Sequence, residues 1–378
     1  VSTDIPFNRP PLAGTELDFL KRVLEDRRLE GQGHFTQECH ERLQAMTGCR
    51  RALLTHSCTA ALEMSALLCG LAPGDEVILP SYTFVSTASA VAMRGATPVF
   101  IDIHPDTLNM DADFIEPAIT AKTKAIFTVH YAAVASDPVR MRQIAADRGL
   151  MLVEDAAQGL GASYRGRHLG TFGSLGTLSF HATKNVTSGE GGALLINDES
   201  LIERAEIVWE KGTNRKQFLR GQVDKYTWVD LGSSYLPSEV TAAFLLAQLD
   251  KVGEITRSRL AVWDRYHAAL MDLEKAGLLR RPIVPDGCVH NGHIYYVLLP
   301  AAEKRDAALR ALVAAGIKAQ FHYVPLHLSP AGKAYGRAHG ALPVTCDLAA
   351  RMLRLPLWYG IGDQADTVVA TLRRTLGA

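Results

Sequence analysis

No sign of charge predominates in this chain: 40 lysines and arginines stand against 40 aspartates and glutamates over 378 residues. That balance removes a general drive toward nucleic acid or an anionic membrane surface, while leaving room for a local basic site that takes a small anion. Cysteine is sparse and scattered. The six, Cys39, Cys49, Cys58, Cys69, Cys288 and Cys346, form no CxxC pair, which argues against a zinc or dithiol redox centre and fits reduced thiols. No apolar run approaches the roughly 18–20 residues of a membrane span. The opening segment, Val1 to Pro11, lacks the basic and apolar regions of a secretion signal, so a cytoplasmic location is expected. His130-Tyr131, His322-Tyr323 and His327 lack metal-ligand spacing on one helix, and no metal is expected. The glycines from Gly161 to Gly173 miss the GxGxxG dinucleotide spacing and read as turns.

What is present is an ordinary globular composition, 47% hydrophobic, with 31 glycines and 17 prolines spread along the chain. Two helices are expected between Thr15 and Gly48, broken at Gly31-Gln32-Gly33. Short apolar strands then alternate with helices: Arg51 to Thr55, Glu76 to Leu79, Thr97 to Asp102, Lys124 to His130 and Leu150 to Glu154. Such alternation predicts an α/β fold with a mostly parallel sheet covered on both faces, and ligands at the carboxyl ends of its strands. After about residue 250 the texture changes. A helical stretch (Lys251 to Lys275), a strand (Ile294 to Leu299), a helix, a strand (Ile317 to His322) and a last helix suggest a smaller α+β domain. The expected division is 1–250 and 251–378.

Two strand ends carry the chemistry. Leu152-Val153-Glu154-Asp155-Ala156-Ala157-Gln158 puts a carboxylate at the end of one apolar run. Ser179 to Asn185 puts Lys184 just past another, opening into Glu190-Gly191-Gly192. A lysine alone is usually a solvated loop residue. Paired with Asp155 it describes a pyridoxal phosphate site, the Asp meeting the pyridinium nitrogen and Lys184 holding the aldehyde as a Schiff base. Such a cofactor needs a phosphate cradle. The turn at Ser57, Cys58 and Thr59 offers free backbone N–H groups and hydroxyls at a helix N-terminus, with Ser179 as a further hydroxyl. Phe84 and Ala157 are candidates to flank the ring, and Gln158 to meet its phenolic oxygen. Lys211, Asn214, Arg215 and Tyr226 sit in a basic and aromatic stretch suited to a diphosphate and a base. His130, Tyr131, His322 and Tyr323 read as a polar pocket lining.

Taken together, these motifs resemble the DegT/DnrJ/StrS family of sugar-nucleotide aminotransferases, essentially end to end. The likeness includes Gly31-Gln32-Gly33, Pro80 to Phe84, Glu154 to Gln158, Ser179 to Asn185, Glu190 to Gly192 and His322 to His327. Ile5 to Asn8, Gly14 to Asp18, Lys211 to Arg215, Gly221 to Trp228 and Gly232 to Leu236 resemble the subgroup that makes dTDP-4-amino-4,6-dideoxygalactose.

The resemblance implies a fold type I transferase with a seven-stranded type of sheet, and a homodimer whose active sites lie at the subunit interface. It implies pyridoxal 5'-phosphate, cycling through pyridoxamine 5'-phosphate, with Lys184 and Asp155 catalytic. The implied reaction takes an amino group from L-glutamate to the 4-keto group of dTDP-4-keto-6-deoxyglucose. Rivals are a C3 aminotransferase, a dehydratase (which would carry histidine for Lys184) and a catalytically idle binding protein of the same fold. Two positions depart from the family pattern. Leu236 stands where many relatives carry an Asn that reaches the phosphate from the neighbouring subunit, so either Ser233 or Ser234 serves instead or that contact is absent. Ala133 stands where relatives often have Gly.

Overall fold

The structure is a computed structural model that describes residues 4–378; residues 1–3, counted above with the N-terminal domain, lie outside it. Its strands are β1 (Arg51–Thr55), β2 (Glu76–Pro80), β3 (Thr97–Ile101), β4 (Thr123–Val129), β5 (Met151–Asp155), β6 (Ser163–Tyr164), β7 (Arg167–His168), β8 (Leu175–Ser179), β9 (Gly192–Ile196), β10 (Cys288–Val289), β11 (Tyr295–Leu298), β12 (Arg337–Ala338) and β13 (Met352–Leu355). Eight of them form one sheet in the order β1-β9-β8-β5-β4-β2-β3-β12. Only β9 runs against the rest. Helical crossovers such as Val85–Ala92, between β2 and β3, and Pro138–Arg148, between β4 and β5, return the chain to the same edge and so produce parallel neighbours. β8 and β9 are instead joined by a helix-free loop, which turns the chain straight back. That loop carries Lys184.

Burial on both faces explains the apolar strands. Within β1, Leu53 packs in one core cluster with Leu62, Val77, Phe127 and Trp209, whereas Ala52 and Leu54 pack in another with Phe35, Leu43 and Leu246. Alternate residues of a strand point to opposite faces, so both faces need helices. Glu239 is buried and accepts from the backbone N–H of Phe35 (2.9 Å) and Thr36 (3.2 Å) at the start of the helix His34–Thr47, a favourable place for an anion. A methyl group on Gly33 would overlap that carboxylate, and one on Gly31 would press on Leu236 and Pro237. The Gly31-Gln32-Gly33 break is thus a packing requirement.

The C-terminal part departs from expectation in two places. Ile317 to His322 is not a strand: Ile317 and Gln320 make only isolated bridges, to Ile5 and Arg354. The strand that pairs with β11 is β13, which the polar Arg354 had masked. Contacts also cross the expected boundary near 250. Ile5 packs in the C-terminal cluster with Trp263, Leu312 and Leu353, while β12 returns to the edge of the large sheet beside β3. No helix among the described residues is long and apolar enough to cross a membrane.

Gly176 in β8 lies so close to Gly170 that an added methyl would overlap its carbonyl. Gly176→Ala is therefore expected to lower stability by about 1–3 kcal/mol. Gly253 in the helix Val252–Ala269, where an added methyl would meet only the end of the Arg257 side chain at 3.5 Å, is the control. Urea midpoints measured on both variants check this; equal midpoints would show that β8 can shift away from Gly170.

Candidate active site

The ends of the parallel strands converge at one edge. β5 ends on Asp155, whose register partner in β8 is Thr177. Asp155 is buried, accepts from the Thr87 hydroxyl (2.7 Å) and the Ala157 N–H (3.1 Å), and is thereby held between the helix Val85–Ala92 and its own following turn. The thiol of Cys58 donates to the Thr177 hydroxyl at 3.5 Å. Burial, with the Asp155 charge adding to it, pushes the Cys58 thiol up to about 12, so it stays a neutral filler. Lys184 is half-buried in the β8–β9 loop. Burial lowers its pKa, and the Arg354 charge pushes the same way against the opposing pull of Cys58 and Asp155.

Beneath this edge, the helix Cys58–Leu68 begins with Ser57 as its cap, accepting from the Ala60 N–H at 3.1 Å. Thr59 shares a 2.7 Å hydrogen bond with Ser86. Gly192 at the start of β9 lies where a methyl would overlap the Ser57–Cys58 peptide, so a glycine is needed for the strand to approach the helix N-terminus. Ser179 ends β8 and, with Ala157, Gln158 and Lys184, lines a small cleft.

Gln158 accepts from the Ala132 N–H (2.6 Å), and its amide nitrogen lies 3.4 Å from the Tyr323 hydroxyl. Ala132 and Ala133 both hold left-handed backbone, φ 59° and 62°. The turn that fixes Gln158 therefore keeps this geometry with alanine, at about 1–2 kcal/mol per residue. Four residues that the motifs did not single out complete the site. Thr87 steadies Asp155, and Arg354 enters from β13. Asn291 donates to the carbonyls of Gln158 and Leu160, both at 2.8 Å. His293 meets Asn185 at 2.9 Å, so residues 291–293 clamp the Lys184 loop to the turn after β5. Only long-range contacts reveal these four; their local sequence carries no signal.

Some candidates do not face the cleft. His130 is wholly buried, its Nε2 2.7 Å from Glu154 and its Nδ1 3.3 Å from the Ser136 hydroxyl, so it is corrected from substrate contact to a buried support of β5. Tyr131 is likewise fully buried and is withdrawn as a direct contact; its hydroxyl lies 2.8 Å from His322 Nδ1. Tyr82, Tyr131 and Tyr323 form edge-on ring pairs 5.2–6.0 Å apart, and His322 stacks on Tyr323 at 3.6 Å. Phe84 stands at the rim, 57% exposed, its ring 6.4 Å from Tyr323.

Lys211, Asn214, Arg215, Tyr226 and Ser234 lie on a separate segment. Arg215 and Lys211 lean on Glu210, Asn214 accepts from the Thr227 N–H, Tyr226 packs near Phe218, and Ser234 bridges Glu210. Among the described residues, no hydrogen bond or ion pair joins them to Asp155 or Lys184. Leu236 packs inward on the core, not outward.

A carboxylate and a lysine at the ends of adjacent parallel strands, above a capped helix N-terminus, define a pyridoxal phosphate transferase of fold type I. The chain belongs to the DegT/DnrJ/EryC1/StrS aminotransferase family, whose model matches residues 11–373, and it is a transaminase that uses pyridoxal phosphate. It is 30% identical over 380 residues to the spore coat polysaccharide biosynthesis protein SpsC of Bacillus subtilis, covering 98% of this chain and 96% of that protein. The aminotransferase TlmJ of Streptoalloteichus hindustanus is similar at 33% identity and a TM-score of 0.91, with 99% of each chain covered. A putative sugar aminotransferase of Streptococcus pneumoniae, Spr1654 in its PMP form, gives 27% identity, a TM-score of 0.91 and 99% coverage of each chain. The donor set fits the cofactor: a buried carboxylate, a lysine without an ion-pair partner among the described residues, an amide nitrogen with only a long contact, and a helix N-terminus kept open by Gly192.

Two outcomes follow. His130→Ala removes a partner from the buried Glu154 and is expected to cost about 3–5 kcal/mol of stability. The folded fraction should keep its KM for the acceptor; a changed KM in a fully stable variant would restore His130 as a contact. Because its pKa is lowered, Lys184 in cofactor-free protein should react with an acylating reagent at a lower midpoint pH than exposed lysines do. Peptide mapping across a pH series reads this, and a midpoint equal to that of surface lysines would contradict the burial argument.

Proposed function

We propose that the protein transfers an amino group from L-glutamate to the 4-keto group of a nucleotide-activated 4-keto-6-deoxyhexose, dTDP-4-keto-6-deoxyglucose, in deoxyamino-sugar biosynthesis. The observation that carries this reading is the pairing of Asp155 and Lys184 at one strand edge, together with the motifs from Lys211 to Leu236 that resemble the C4 subgroup. Pyridoxal phosphate, when bound, supplies the carbonyl that takes the amino group from the donor and passes it to the ketone.

The chain's residues divide the remaining work. Asp155, kept in place by Thr87, is the carboxylate for the ring nitrogen. Gln158 offers its amide nitrogen to the ring's phenolic oxygen, and Phe84 and Ala157 flank the ring. Ser57, Cys58, Thr59 and Ser179 surround the phosphate, with Ser234 reaching it from a second subunit. Lys184 holds the aldehyde and, once displaced, moves the proton at the carbon that loses or gains nitrogen; its lowered pKa favours the free amine that this needs. Lys211, Asn214, Arg215 and Tyr226 receive the nucleotide end, and His322 and Tyr323 border the sugar.

The reading includes a cytoplasmic homodimer with shared sites. In support, Phe218, Leu219, Trp228, Val229 and Leu231 leave a run of apolar surface exposed on the segment that carries those contacts, a surface suited to a second copy.

Proton NMR of the product from dTDP-4-keto-6-deoxyglucose and glutamate tests the reaction. A small H3–H4 coupling means an axial amine and the galacto product; a large one means the gluco epimer. If no amine forms at C4, the substrate assignment falls and a C3 aminotransferase on a related keto sugar takes its place. Lys184→Ala is expected to keep the cofactor bound while losing turnover by about 10³-fold or more. Full activity in that variant would remove the role given to Lys184.

A further inference from the structure

The small sheet carries a cation that no side chain answers. Arg354 lies on β13 with Tyr296 as its register partner on β11, and its backbone N–H donates to the Gln320 carbonyl at 2.7 Å. Among the described residues its guanidinium makes no hydrogen bond and no ion pair, and its Nε is buried without a partner. Five donors in a planar fork are thus unused. A half-buried charge of this kind is costly unless an anion or strong acceptors meet it.

The surroundings offer neither. Phe7 lies under the guanidinium at 4.7 Å, which offsets part of the cost. The nearby phenols of Tyr82, Tyr131 and Tyr323 are held neutral by burial. Two of their hydroxyls are already committed, Tyr131 to His322 Nδ1 and Tyr82 to the His322 carbonyl at 2.9 Å. His322 itself stays neutral, chiefly through burial and then through the Arg354 charge. The backbone partner of Arg354, Gln320, stands just before His322 and Tyr323, and the Tyr323 hydroxyl lies 3.4 Å from the amide of Gln158, which lines one cleft with Lys184. The Arg354 charge also helps to lower the Lys184 pKa. A transaminase must admit two unlike substrates to that space, an amine donor and a ketone.

We propose that Arg354 anchors a carboxylate of the amino donor, so that an α-amino acid binds with its amine toward Lys184. The inference rests on the reading above that the donor is an amino acid. A carboxylate suits the site better than a diphosphate. One planar fork between neutral rings matches a single planar monoanion in bidentate fashion, whereas two phosphates need several cations. Arg354 also distinguishes the two substrates, because the sugar's reacting end carries no anion.

Rapid-mixing absorbance on the holoenzyme separates the half-reactions. Wild type, Arg354→Lys and Arg354→Gln are mixed with glutamate, and separately with the nucleotide-linked amino sugar that the enzyme itself makes. In Arg354→Gln, the glutamate concentration for half-maximal rate should rise on the order of 10²-fold, with the amino-sugar value within about 3-fold of wild type. Arg354→Lys, which keeps the charge without the fork, should fall between and guards against a folding defect. Maleate, an inert dicarboxylate, should inhibit wild type in competition with glutamate and lose that inhibition in Arg354→Gln. Equal losses toward both amines would make Arg354 a support of the tyrosine cluster and overturn the proposal, as would unchanged glutamate saturation. A wild-type enzyme that accepts no amino acid would overturn it too. Amination at a different sugar carbon would sink the acceptor assignment alone, since the donor half-reaction contains no sugar.

Discussion

Glu154 is fully buried behind the central sheet, where it accepts from His130 Nε2 at 2.7 Å and from the backbone N–H groups of Gly170 at 2.9 Å and Gly173 at 2.6 Å. Its neighbour in the chain is Asp155. Because side chains alternate along a strand, fixing Glu154 on one face of β5 fixes Asp155 on the other. The same contacts tie down the turns between β5 and β8, so the register that sets Asp155 beside Thr177 follows from them. A buried carboxylate with a donor at each oxygen is stable only while those donors stay in place. The reacting edge of the sheet therefore inherits its rigidity from a group on the far side.

On the near side the electrostatic design is one of scarcity. Cys58, Tyr82, Tyr131, Tyr323 and His322 are all kept neutral by burial. The charges left around the cleft are Asp155, Lys184 and Arg354. In such surroundings each remaining charge acts at greater strength than it would in water. That suits chemistry in which one amine must lose its proton near neutral pH, and one anion must be drawn to a set position. The strain at Ala132 and Ala133 belongs to the same design, since that left-handed turn delivers the N–H that orients Gln158.

The two halves of the chain are interlocked. Ile5 joins the C-terminal core, β12 extends the large sheet, and Asn291 and His293 reach back to the turn after β5 and to the lysine loop. Motion of the small sheet would carry Arg354, His322 and Tyr323 together, since all three belong to the segment that β13 and its bridge to Gln320 hold.

The sequence by itself determined the α/β class, the parallel edge and the identity of its acid and lysine. Those features are written locally: apolar runs long enough to be buried on both faces, an Asp at the end of one and a Lys past the end of another. It also carried Gly31-Gln32-Gly33, although the reason, close packing on Leu236, Pro237 and Glu239, appears only in three dimensions. Tertiary structure alone decided which polar residues face the cleft. His130 and Tyr131 follow the end of β4 just as Ala156 and Ala157 follow that of β5, yet buried partners claim them. Arg354 sits in a run, Met352–Leu355, whose polar residue argues against a buried strand, and its place in the small sheet comes from pairing with β11. Burial and partner choice are properties of contacts between residues far apart in the chain, and no local pattern encodes them.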